Sequence, residues 1–244
     1  MLEVTNLSLN FGSKLILRNV SFSALQGELI YVLGRNGTGK SSLLKCISGL
    51  QKFQGKVKIG QKSISDYSTQ ELATKIALVL PTLSDSAHNL NVYEAVSLGR
   101  TPYLSWLAKL QEKDQEIIEK AISITQIRHL LDKNLSQLSD GERQRVMIAR
   151  AIAQDTPIII ADEPTAFLDV YFRKQILELF KQITQNEGKT ILLSTHEIEL
   201  ALACANKILL LGNAQQFLFL DKWQKDEVWQ FLEGKEDVFA KNKM

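Results

Sequence analysis

Apolar and polar residues alternate near the start of the chain. Leu2, Val4, Leu7, Leu9 and Phe11 largely keep a two-residue period, which predicts a half-buried strand. The next apolar stretch differs in kind: "GELIYVLG" (27–34) is apolar almost throughout, as in a strand buried on both faces, and runs into a glycine-rich turn. Residues 41–50 then take helical spacing, and "GKVKIGQKSI" (55–64) reads as a short hairpin. From about Asn91 to Ala153 the pattern is mostly helical, most clearly over 111–124. Two further buried strands follow, "PIIIADE" and "KTILLSTHE", with the amphipathic stretch "VYFRKQILELFKQI" between them, and then "NKILLLG". Strand–helix–strand alternation predicts an α/β fold with a parallel sheet and crossover helices. An antiparallel β lobe near the start and an inserted helical lobe in the middle complete it.

Composition narrows this little. The chain has 244 residues, 45% hydrophobic and 23% charged, enough to build the core of one globular domain with sub-lobes. Its 29 basic and 27 acidic residues leave a net charge of +2, so no nucleic-acid partner is expected. No apolar run approaches the roughly 20 residues that span a bilayer, and the Met1 end lacks the pattern of a signal peptide. Cys46 and Cys204 have no metal-ligand or disulfide spacing, which suits a reducing compartment. The expectation is a cytoplasmic chain that does not itself enter the membrane.

The chemistry concentrates at strand ends. "GRNGTGKSS" (34–42) satisfies G-x-x-x-x-G-K-[ST] between a buried strand and a helix. In such a loop the backbone N–H groups of Gly34, Asn36, Gly37, Thr38, Gly39, Lys40, Ser41 and Ser42 can wrap phosphates. Lys40 supplies a point charge to the outer phosphates, and the Ser41 hydroxyl can ligate Mg²⁺. Asp162 and Glu163 close the apolar run "IIIA", at the carboxyl edge of a sheet where ligands gather. Asp162 is placed to hold Mg²⁺ through water, and Glu163 to act as general base toward an attacking water. His196 follows its own strand in the same way and is a second catalytic candidate; His88 and His129 are read as structural.

"LSDGERQR" (138–145) raises a separate question, because it is a second helix start built to face an anion. Ser139 and Glu142 form the S-x-x-E of a capping box, and Asp140 and Gly141 leave the helix end uncluttered. One helix end contributes only about 0.3–1 kcal/mol to anion binding, too little for an independent ATP site but enough for half of one.

Taken together, "GRNGTGKS", "LSDGERQR", "IIIADEP", "AFLD" and "STHE" resemble, in order and spacing, the ATPase subunit of an ABC transporter, over residues 2 to about 212. The resemblance implies a P-loop NTPase core with ATP and Mg²⁺ as ligands. It also implies a head-to-tail dimer in which each ATP lies between the phosphate loop of one copy and the signature helix of the other. Ser139, Asp140, Gly141 and Glu142 would then serve the partner's ATP, with Ser139 and Gly141 at its γ-phosphate. Asp169 would couple the two sites, and His196 would contact the γ-phosphate within its own copy. Phe11 stands where the family stacks an aromatic on adenine; a core strand residue is its other reading.

"NVYEAVSLGRTPY" (91–103) further resembles the segment that leads the helical lobe in importers of iron–siderophore, haem and cobalamin, where it receives the permease. An amphipathic helix explains it equally well. The expected division is 1–84 for the β lobe and phosphate loop, 85–153 for the helical lobe, 154–220 for the rest of the core and 221–244 for a tail. In the tail Trp223, Trp229 and Leu232 suit a helix packed on its own domain. The expected setting is the inner face of the cell membrane, on integral permease subunits. Two other readings fit the same motifs: a soluble ABC ATPase without a permease, such as an iron–sulfur assembly helper, and a nucleotide-binding module with reduced turnover.

The sequence departs from the family pattern at two positions. Asp140 replaces the usual Gly and brings negative charge to an anion site. Thr82, in "ALVLPTLSD", replaces the Gln that reaches Mg²⁺ and the attacking water. A Thr hydroxyl falls roughly 2–2.5 Å short of a Gln carbonyl oxygen, given bonds of about 1.5 Å. A bridging water fills such a gap at about 0–2 kcal/mol of ordering, too little to stop hydrolysis. We therefore expect Thr82→Gln to change permease stimulation of ATPase activity more than the basal rate. Assays of both proteins, alone and in a reconstituted complex, check this; an equal change in both settings would assign Thr82 to chemistry instead of coupling.

Overall fold

The computed structural model describes residues 1–80, 90–104, 109–166, 168–212 and 216–234. Along the chain the elements are β1 (Leu2–Phe11), β2 (Lys14–Ala24), β3 (Leu29–Gly34), α1 (Lys40–Ile47), β4 (Gln54–Ile59), β5 (Lys62–Ser63), α2 (Thr69–Ala73), β6 (Ile76–Val79) and α3 (Val92–Ser97). They continue with α4 (Glu112–Thr125), α5 (Asp140–Ala153), β7 (Ile158–Asp162), α6 (Val170–Glu187), β8 (Thr190–Thr195), α7 (Ile198–Cys204), β9 (Lys207–Leu211), β10 (Phe217–Leu220) and α8 (Lys225–Glu233). They group into two compact units, one of Met1–Asp66 with Thr190–Met244, the other of Tyr67–Lys189.

The first unit holds the antiparallel lobe, in the order β2-β1-β4-β5. In β1 the alternation slips by one residue between Val4 and Leu7, where the pairing with β2 shifts register. Asn6 takes a left-handed backbone there, with φ 51°, and its N–H donates to the Ser21 hydroxyl at 2.8 Å. This bulge restores the phase, so Leu2, Val4, Leu7 and Leu9 are all buried. Phe11 is not among them. It pairs with Lys14 across the tight turn and is 51% exposed, which sets aside its reading as a core residue.

The same unit carries the strands that present the phosphate loop. β3 is buried along its whole length and lies parallel to β8 on one side and β9 on the other, with β10 antiparallel to β9. Burial on both faces explains its nearly unbroken apolar run. The expected tail helix forms as α8 and packs on this unit, but through Val228, Phe231 and Leu232, so of the three residues expected to carry the packing only Leu232 is buried. Trp229 stays on its outer side and Trp223 precedes the helix.

In the second unit β6 lies parallel to β7, and α3, α4 and α5 form the helical part. Helix α3 begins with a capping box between Asn91 and Glu94. Buried in this part is an ion pair, Arg100 Nε to Asp114 Oδ1 at 2.9 Å, with the two side chains 5% and 11% exposed. Arg100 also donates to the Ala153 carbonyl at 2.9 Å and lies over the Tyr103 ring, and Asp114 Oδ2 accepts the Gln111 N–H at 3.0 Å. The pair ties the segment after α3 to the start of α4 and the end of α5. Burial pushes the Asp114 carboxyl up, but the Gln111 N–H and the Arg100 guanidinium outweigh it and hold it below the usual range.

Removing one partner of a buried pair strands the other charge, so Asp114→Ala should lose about 3–5 kcal/mol in denaturant unfolding. Because the folded pKa of Asp114 is depressed, its stabilisation is complete above the unfolded value of about 3.9 and disappears as pH falls through the lower folded value. Asp114→Asn should accordingly flatten the acid limb of the stability–pH curve.

Candidate nucleotide site

The phosphate loop opens where β3 ends. At Gly34 a Cβ would lie 2.5 Å from the Thr38 hydroxyl and 2.6 Å from the Leu211 carbonyl oxygen, so only glycine lets the loop fold against β9. Thr38 closes the turn, its N–H and hydroxyl both donating to the Arg35 carbonyl at 3.3 and 2.9 Å. Gly39 takes φ +102° as the N-cap of α1, and a Cβ there would press on the Leu17 side chain at 2.9 Å. Glycine as the cap brings no side chain of its own to the first N–H groups of α1, and the first turn of the helix has no acidic residue. Such a helix end suits an anion.

Lys40 is buried, and its Nζ donates to the Gly34 carbonyl at 2.9 Å and the Arg35 carbonyl at 3.4 Å. Those carbonyls hold the ammonium in the loop. Ser41 and Asn36 are exposed beside it, and Ser42 is half-buried. His196 belongs to the same place: Leu33 pairs with Thr195 in the parallel register of β3 and β8, so Gly34 and His196 follow at adjacent strand ends. His196 is exposed, with Nε2 3.9 Å from Glu197 Oε1, and the Glu197 N–H donates to the Thr195 hydroxyl at 3.0 Å. A cavity of about 640 Å³ opens onto Gly34, Asn36 and His196 and is walled by Ile198, Trp229 and Leu232. The contribution of α8 to this cavity was not legible in the motifs, because it comes from a segment outside them.

The remaining candidates lie in the second unit. Asp162 is buried at the end of β7. Glu163 next to it has a left-handed backbone, φ 46°, and its carbonyl accepts the Ala166 N–H at 3.0 Å. A left-handed conformation costs a residue with a Cβ about 1–2 kcal/mol, so the chain is locally strained where β7 ends. Asp169 caps α6, accepting the Phe172 N–H at 2.9 Å, and is exposed.

Helix α5 begins with the capping box that its sequence predicts. The Glu142 N–H donates to Ser139 Oγ at 3.3 Å, and the Ser139 N–H and hydroxyl each donate to Glu142 Oε2 at 2.8 Å. Those two donors hold the Glu142 carboxyl below the usual range. The negative charge of Asp140 turns sideways: its carboxylate meets Arg143 Nη1 at 3.0 Å, and its side chain is 70% exposed. Arg143 also donates to the Leu138 carbonyl at 3.0 Å, a contact the motif did not announce. Gly141 faces Leu168 and Phe172, where a Cβ would make ordinary contacts at 3.4 and 3.9 Å. Thr82 and His88 lie outside the described residues. Among the described residues no cluster of three or more His, Cys, Asp or Glu could hold a metal ion, and no helix is long and apolar enough to cross a membrane.

The ABC transporter family profile matches residues 17–166. The petrobactin import ATP-binding protein FpuC of Bacillus anthracis is 33% identical over 243 residues, covering 98% of this chain and 89% of its own. The achromobactin transport ATP-binding protein CbrD of Dickeya dadantii is 35% identical over 212 residues, 86% of this chain and 78% of its own. Among solved structures, an inward-facing transporter described as of metal-chelate type superposes with a TM-score of 0.83 at 30% identity, covering 96% of this chain and 88% of that one. A dimeric bacterial ABC transporter cassette superposes with a TM-score of 0.75 at 28% identity, covering 91% of this chain and all of that one. A loop shaped by Gly34 and Gly39 around Lys40, a capped signature helix and these likenesses belong together: the chain is a member of the ABC transporter ATPase family, the nucleotide-binding, ATP-hydrolysing subunits of such transporters.

Proposed function

We propose that this chain powers a membrane importer of iron–siderophore or related metal-chelate type, hydrolysing ATP in a head-to-tail dimer docked on permease subunits at the inner face of the membrane. The cargo class rests on the relatives that serve achromobactin and petrobactin and on the metal-chelate-type transporter of 30% identity. Residues 91–103 would receive the permease.

In this reading the N–H groups of the phosphate loop and the Lys40 ammonium bind the ATP phosphates, and Phe11, exposed at its turn, stacks on adenine. The Ser41 hydroxyl and the Asp162 carboxylate are hard oxygen donors of the kind that hold Mg²⁺ when the phosphates supply further ligands. When bound, Mg²⁺ neutralises charge that develops on the phosphates. Glu163 takes the proton of the attacking water, and His196 orients the γ-phosphate from its neighbouring strand end. Transfer leaves ADP and inorganic phosphate.

One observation favours sharing each site between two copies. Among the described residues nothing stands closer than ordinary contact to a methyl group at Gly141, and glycine in a helix costs about 0.5–1 kcal/mol against alanine. These residues supply no reason for glycine there; a phosphate approaching the helix end from a partner does.

Glu163→Gln keeps the shape and removes the base, so this protein should elute as a dimer from gel filtration with ATP and Mg²⁺. Adding Lys40→Ala should abolish ATP binding and with it the dimer. Adding Gly141→Ala should leave thermal stability unchanged or higher by no more than about 1 kcal/mol, yet weaken the dimer. A Glu163→Gln protein that stays monomeric at high concentration with ATP would sink the shared-site reading.

A further inference from the structure

Two features of the surface have parts that the chemistry above leaves unused. One is the cavity of about 640 Å³ beside the phosphate loop, whose outer wall is Ile198, Trp229 and Leu232 and whose polar lining includes Arg35 and Glu233. The other is the adjacent pair Val170 and Tyr171 at the start of α6, 79% and 69% exposed. Among the described residues no other large apolar side chain is as exposed as these two.

We propose that Val170 and Tyr171 of a second copy seat in this cavity, against Trp229 of α8, when ATP joins the two chains. The inference rests on the head-to-tail reading and adds a contact surface to it. Its geometric basis lies within one unit: Gly141 faces Leu168 and Phe172, so the starts of α5 and α6 are packed side by side. Tyr171 stands edge-on to Phe172, with ring centroids 5.8 Å apart, and Arg145 lies over the other ring of the pair. A surface that reaches Gly141 therefore lies beside the start of α6, where Val170 and Tyr171 stand exposed.

In the head-to-tail dimer that surface is the partner's phosphate loop, and the cavity begins at the first residues of that loop. Its volume exceeds what the two side chains require. Its chemistry suits them as well, since Tyr brings an apolar ring with a hydroxyl that needs a partner. Ile198, Trp229 and Leu232 offer the apolar wall, and Arg35, Asn36 and Glu233 the polar groups. The position of α8 is also secured: Phe231 packs on Gly212, where a Cβ would come within 3.0 Å of its ring. Trp229 of α8 is thus held at the cavity while 37% of it remains exposed.

The test uses the full chain with Glu163→Gln and Cys204→Ser, leaving buried Cys46 in place. One protein also carries Tyr171→Cys, the other Trp229→Cys, with different affinity tags. A short bis-maleimide should join the mixed pair with ATP and Mg²⁺, and neither protein with itself. In parallel, Tyr171→Ala and Trp229→Ala in the Glu163→Gln background should each weaken the ATP-dependent dimer about tenfold, with little further loss when combined. Tyr171→Phe should retain most of it. A normal ATP-dependent dimer with no mixed cross-link, or with both alanine variants unaffected, overturns the inference and leaves the shared site intact. Absence of any dimer from the Glu163→Gln protein overturns both.

Discussion

A single missing methyl group at position 34 governs the nucleotide end of this protein. Side chains on β3 are buried throughout, so its carboxyl end is fixed by packing against β8 and β9. The chain must then turn at once, within reach of the Leu211 carbonyl and the Thr38 hydroxyl, where any Cβ would collide. From that close approach follow the direction of the loop, the glycine cap of α1 and the Lys40 ammonium held by the Gly34 and Arg35 carbonyls. A rigid strand supplies the position, and glycine lets backbone donors replace side chains.

The two helix starts that face anions are built in opposite ways. In α1 glycine caps the helix and offers its first N–H groups no side chain of its own. In α5 the Ser139–Glu142 box satisfies the chain's own donors and places a carboxylate near the helix end. The first arrangement suits a phosphate held closely in its own copy. The second closes the helix start within one chain, with Gly141 in its first turn. Asp140 is paired with Arg143, so its charge is offset in part by a guanidinium of the same helix.

Stability and function draw on different parts of the helical segment. The buried Arg100–Asp114 pair joins three pieces of chain, and each partner makes a further hydrogen bond to backbone, which helps a buried ion pair to be tolerated. Nearby Leu98 and Tyr103 remain exposed, so the same segment both anchors the lobe and keeps an outer face. Glu163 shows the converse, a left-handed backbone at the end of a buried strand.

The amino-acid sequence alone determined the buried strands, the glycine-rich turn, the capping box of α5 and the family, because each depends on local periodicity or on residue types at fixed short spacing. The box of α5 and the whole of β3 formed as their patterns predict. The bulge at Asn6 was not legible, since a phase slip becomes visible only when β2 pairs alongside. Nor was the exposure of Phe11: alternation assigns a side of the strand, whereas burial depends on what lies above that side. The strand β10, the partners of Arg143 and the wall that α8 gives the cavity likewise needed tertiary structure. Local pattern specifies which elements form; contacts between residues distant in the chain decide which of their atoms meet, and only folding brings those atoms together.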